Sequence, residues 1–152
     1  MHQKQNPGNG ADSFKQREKM KLNFNFLRME SRLITPQLAN LFEKQYPLYS
    51  QDGLGRNAMC VAIFFIGKIR WYVLEGQPEG DDFTLFTIVC GMYQTEYGYS
   101  SVKEMEGIKV DGSRYGLPNE ILIEPVKDFV PCKLRDIRDE ELQQFLDAME
   151  QI

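Results

Sequence analysis

The sequence predicts an α+β fold: an antiparallel sheet of four to five strands with helices packed on one face. Three observations carry this. The apolar runs "AMCVAIFFI", "IRWYVLE" and "FTLFTIVC" have strand length and follow one another without a crossover helix, which disfavours a doubly wound parallel sheet. Amphipathic helical patterns flank this block on both sides in sequence. A chain of 152 residues, 42% of them hydrophobic, has the apolar content that a folded single domain needs to offset conformational entropy.

Taken in order, residues 1–28 form a polar, basic extension with an Asn-Pro-Gly-Asn-Gly cluster, and residues 29–152 form one domain. Within the first part, "LNFNF" alternates apolar and polar residues as a short strand does. "TPQLANLFEKQ" is a helix: Thr35 suits the cap, Pro36 the first helical position, and Leu38, Leu41 and Phe42 share a face. The helix ends near Tyr46-Pro47, because proline disfavours helix at the residue before it.

"AMCVAIFFI" and "IRWYVLE" read as a hairpin turning at Gly67-Lys68, with Trp71 and Val73 on one face and Arg70, Tyr72 and Leu74 on the other. "GQPEGDD" connects to the third strand. In "TEYGYSSVKEMEG" a short strand leads into a helical turn, where Ser101 and Glu104 have capping-box spacing. "ILIEPV" is a fourth strand, with Pro125 marking either an edge position or the strand terminus. The C-terminal helix "RDIRDEELQQFLDAME" takes Asp136 as its cap and presents Leu142, Phe145, Leu146 and Met149 together.

Composition excludes several functions. The single histidine, His2, lies in the polar extension, which closes histidine-based hydrolase mechanisms and histidine-ligated zinc. Three cysteines without close spacing read as small hydrophobes, and no metal or cofactor is expected. No apolar run approaches the roughly 20 residues of a bilayer span, and the first twenty residues lack a signal-peptide core, so a cytoplasmic protein with no membrane partner is expected.

Charge divides the chain. Residues 1–34 hold seven basic and three acidic residues, a balance of +4, whereas the remainder holds 11 basic and 19 acidic, −8. Lys15, Arg17, Lys19 and Lys21 are therefore candidates for contacting nucleic acid or an acidic partner. Among the carboxylates, Glu75, Glu79, Asp81, Asp82 and Glu96 are candidates for acid-base work or cation binding, although none has EF-hand spacing. Trp71, Tyr72, Tyr97 and Tyr99 are candidates for a stacking platform. The sharpest site prediction combines Trp71, Glu75, Glu96 and Tyr99.

The pieces "LITPQLANLF", "YPLYSQDG", "FF" then "WYVLEG", "EGDDFTLF", "EYGYSSVKEMEG" and "YGLPNEILIEP" stand in an order that resembles a bacterial family, domain of unknown function 2958, over residues 33–126. Its most specific parts are Trp71-Tyr72, Glu75-Gly76, Glu96 with Gly98-Tyr99, and Gly116-Leu117-Pro118. The resemblance implies a small protein of the kind encoded on plasmids and conjugative elements, without an established activity or cofactor.

The leading expectation is accordingly an accessory or interaction module of a mobile genetic element, not an enzyme, that binds a protein partner, with nucleic acid open to it through the arm. Two alternatives stand beside it. One is an enzyme or small-ligand protein with Trp71, Glu75, Glu96 and Tyr99 in a pocket; the other is an acidic inhibitor that mimics nucleic acid.

Overall fold

The computed structural model describes residues 31–151, and the fold is α+β. The 1–28 extension, its boundary with the domain and the "LNFNF" strand lie outside the described residues. The elements are α1 (Pro36–Lys44), β1 (Met59–Cys60), β2 (Ala62–Ile66), β3 (Ile69–Glu79), β4 (Asp82–Cys90), β5 (Glu96–Ser101), α2 (Val102–Gly107), β6 (Lys109–Asp111), β7 (Glu120–Leu122), β8 (Glu124–Pro125), β9 (Cys132–Lys133) and α3 (Glu140–Glu150).

Five strands form an antiparallel sheet in the order β5-β4-β3-β2-β8, and the pairs β1-β9 and β6-β7 form short ribbons. The β2-β3 hairpin turns where expected, and Gly67 adopts the positive φ of +56° that a tight turn requires. Glycine is needed there twice over, since a Cβ would stand 2.3 Å from the Tyr115 ring. Thr35 caps α1 by accepting the Leu38 N–H at 3.1 Å, and Ser101 caps α2 by accepting the Glu104 N–H at 3.2 Å.

Three local expectations are corrected. The "GQPEGDD" segment is mostly strand: Pro78 pairs with Phe83 and Glu79 with Asp82, leaving a tight turn at Gly80-Asp81. Proline is tolerated because β2 pairs only with Ile69–Val73, so among the described residues no strand needs the missing N–H at Pro78 on that side of β3. The "ILIEPV" run divides at the buried Ile123 into β7 and β8, and β8 supplies the sheet edge with Pro125 opposite Phe64. The cap of α3 is Asp139, whose carboxylate accepts the Leu142 N–H, because Asp136 is used in a separate 3-10 turn, Leu134–Asp136.

The helices also cover both faces of the sheet, not one. Trp71, Val73, Phe64 and Leu85 pack with Ala39 and Phe42 of α1 and with Val102 and Met105 of α2. Tyr72, Leu74, Ile88 and Cys90 pack with Leu142 and Leu146 of α3. The cause lies in the central strands, where apolar residues occupy both parities; a sheet that is apolar on two faces needs two covers.

Candidate functional site

Glu75 is the most deeply buried charged residue described, with 1% of its surface exposed. Its carboxylate accepts the backbone N–H groups of Tyr49 at 2.7 Å and Gln51 at 2.8 Å, the pairing a buried charge requires. Gln51 in turn donates its side-chain amide to the carbonyls of Leu74 at 2.8 Å and Met59 at 2.9 Å, and accepts the Met59 N–H at 2.6 Å. Every polar group here meets another within the protein. The arrangement holds the 47–53 loop against β3, including Tyr49 at a φ of +74°.

The four-residue pocket predicted from sequence is not assembled. Register places Trp71 beside Val89 and Val89 beside Glu96 on one face, but Glu75 beside Phe86 and Phe86 beside Tyr99 on the other. Two causes combine. A β-bulge at Leu74, between the pairs Val73-Thr87 and Glu75-Phe86, reverses the parity of every later residue in β3. Glu96 and Tyr99, three residues apart on one strand, must also point to opposite faces. Trp71 is core, 8% exposed, whereas Tyr99 is 57% exposed.

Two of the other candidate carboxylates, Asp81 and Asp82, are engaged within the fold, as are Asp139 and Glu141. Asp82 accepts hydrogen bonds from the Ser101 hydroxyl, the Lys103 N–H and its neighbour's N–H, and Asp81 pairs with Lys103 at 2.6 Å. Asp139 accepts from Arg70 at 2.6 Å and from the Tyr72 hydroxyl, while Glu141 accepts the Gly91 N–H at 3.0 Å and the Thr95 hydroxyl. Burial raises the Asp139 pKa, but the bonds from Tyr72, Arg70 and the helix N–H outweigh it and hold the carboxyl below its ordinary value. Burial, then the hydrogen bond to Asp139, push the Tyr72 phenol up. This network fastens the start of α3 to the sheet.

On the face shared by Glu75 and Tyr99 the structure brings together aromatics that sequence identified only in part. Phe86 stacks on Tyr97 with ring centroids 5.4 Å apart and planes 2° from parallel; Phe86 meets Tyr99 at 5.1 Å, and Tyr97 meets Phe145 edge-on at 5.2 Å. Leu74, Phe86 and Tyr97 floor a cleft of about 390 Å³ between the 51–55 loop and α3. Its charged lining residues are Asp52 and Glu150, both acidic. Arg56 pairs with Glu150 and, at 2.6 Å, with Asp147 behind the rim. Desolvation, then the neighbouring Tyr49 phenol, then the charges of Glu75 and Asp52 push the exposed Tyr99 phenol above its ordinary pKa.

Phe86, Asp52 and Glu150 were not singled out by sequence. The usable signal was the i, i+2 spacing of Tyr97 and Tyr99 in "EYGYSS", which puts both rings on one face; Phe86 joins them only once the strands pair. β5 is the last strand of the sheet, and among the described residues no further strand pairs with its outer side. It carries neither proline nor lysine, two common devices for blunting an edge. Lys15, Arg17, Lys19 and Lys21 lie outside the described residues.

Cys60 faces Cys132 across the β1-β9 ribbon, and both, like Cys90, are free thiols. Burial pushes Cys60 up to about 12 and Cys90 up to about 11. Among the described residues no group of three or more His, Cys, Asp or Glu is placed to hold a metal ion, and no helix is long and apolar enough to cross a membrane.

The fold and site together define an α+β domain that, among the described residues, has an open sheet edge beside an aromatic cleft lined by two acidic residues. No family model, curated protein or solved structure matches the chain.

Proposed function

We propose that this protein is an accessory interaction module of a mobile genetic element, acting in the cytoplasm, and that it binds a protein partner at the β5 edge and the aromatic row beside it. The observation that carries the reading is the coincidence of a strand edge left unpaired among the described residues with partly exposed aromatics on the same strand. An open edge offers backbone hydrogen bonds to an extended segment, and Tyr97, Tyr99 and Phe86 offer rings to its side chains. The resemblance to domain of unknown function 2958 supports the mobile-element part. The basic residues Lys15, Arg17, Lys19 and Lys21 leave nucleic acid as a second partner in this reading.

The test is site-specific photocrosslinking of the full chain in its native host. Benzoylphenylalanine replaces Tyr99 and, as a control on an exposed position remote from β5, Val130. A discrete adduct from position 99 that position 130 does not give supports the reading. Equal or absent adducts from both positions count against it.

A further inference from the structure

Resting on that reading, we infer that the cleft beside β5 receives the guanidinium of an arginine carried by an extended segment of the partner. The charge of the site selects a cation: among the described residues its two charged lining side chains are Asp52 and Glu150, and no basic side chain lines it. Asp52 forms no ion pair among the described residues. Glu150 engages Arg56 through Oε2, which leaves Oε1 for a second donor.

The floor narrows the class further. A guanidinium is planar and weakly hydrated, stacks on aromatic faces and forks its N–H groups towards carboxylates; an ammonium does the last as a point charge only. Phe86 and Tyr97 supply stacked, half-buried rings, and the carboxylates of Asp52 and Glu150 line the same cleft. A volume of about 390 Å³ is at the lower end for small-ligand sites and suits one long side chain. Tyr97 belongs to β5, so a strand added to that edge would present alternate side chains towards this face.

Binding of a fluorescein-labelled peptide to the full chain tests this. The probe alternates threonine and valine around one central arginine, and its counterpart carries citrulline, the neutral isostere, in that place. The arginine peptide is expected to bind about tenfold more tightly, a difference of about 1.4 kcal/mol, and the preference should shrink as salt is raised. Asp52→Asn, at an exposed position, should remove most of that preference. Asp52→Lys should transfer it to a peptide with a central glutamate.

Equal affinity for the arginine and citrulline peptides, with an adduct still formed from position 99, would overturn the guanidinium assignment and leave the interaction module standing. Failure of both peptides to bind would overturn the assignment as well. Absence of the position-99 adduct would remove the reading beneath it.

Discussion

Gln51 and Glu75 hold each other in place from two directions. The Gln51 N–H donates to the Glu75 carboxylate at 2.8 Å, and the Gln51 side chain reaches past it to the carbonyl of Leu74, the residue at the bulge. The bulge frees that carbonyl and turns Glu75 towards the loop. One irregularity in β3 therefore creates both halves of the contact.

Replacing Glu75 by glutamine keeps the shape but sets an NH₂ group against one of two backbone donors. Glu75→Gln is expected to lower unfolding free energy by about 1–3 kcal/mol, the cost of an unsatisfied buried donor. Denaturant titration reads the change, and limited proteolysis should show new cleavage in the 47–55 loop. A variant with an unchanged midpoint and an intact loop would refute the clamp.

Asp139 joins three jobs: it caps α3, pairs with Arg70 and accepts from Tyr72. Asp139→Ala should cost about 2–4 kcal/mol, more than an isolated cap, because charged hydrogen bonds are lost with it. Asp139→Asn, which keeps an acceptor for the Leu142 N–H, should cost roughly half as much. Urea unfolding of the pair decides whether the network adds anything to the cap.

Stability should fall on both sides of neutrality. Asp82, Asp139 and Glu141 have native pKa values below their ordinary 3.8, 3.8 and 4.5, so their contribution is present above those values and is lost as pH falls through the depressed native ones. Tyr72 and Cys60 are raised above 10.0 and 9.0, so their contribution is present below those values and is lost as pH rises beyond them. Unfolding free energy measured against pH should show both limbs, and Asp139→Asn should flatten the acid one.

The three thiols should react in a fixed order. Cys60 and Cys90 are fully buried, whereas Cys132 is partly exposed. Thiolate is the reacting species, and burial suppresses it. A disulfide reagent at neutral pH should label Cys132 first, and mass spectrometry of the modified protein identifies the site. Faster labelling of Cys60 would contradict the packing of β1.

Gly76 has no room for a side chain. A Cβ there would approach the Phe83 ring to 2.8 Å and the Phe42 ring to 2.9 Å, the point where α1 crosses β3. Gly76→Ala should destabilise by about 1–3 kcal/mol through overpacking. Adding Phe83→Leu should recover part of that loss if the clash is its source.

Features with local causes were legible in sequence. Thr35-Pro36 marked the start of α1, Gly67 marked the hairpin, and Ser101 and Glu104 marked α2. That Glu96 and Tyr99 could not share a face was also legible, from their separation alone. The path of Glu75 was not, because a bulge leaves no sequence signature here and changes the parity of everything after it. The cover of the second face was legible only in outline: Tyr72 and Leu74 announced an apolar face, but Asp139, 67 positions away, decides where α3 attaches. The acid-rimmed cleft depends on three segments meeting, and none of them is unusual by itself.

The attachment of Tyr72 to Asp139 also has a consequence for biosynthesis. At roughly 5–20 residues per second, a ribosome needs about 3–13 s to make the 67 residues that separate them. Until α3 emerges, Tyr72, Leu74, Ile88 and Cys90 have no helix over them. The nascent sheet thus passes through a stage with one sealed and one open apolar side, and that open side is the surface a chaperone would hold during translation.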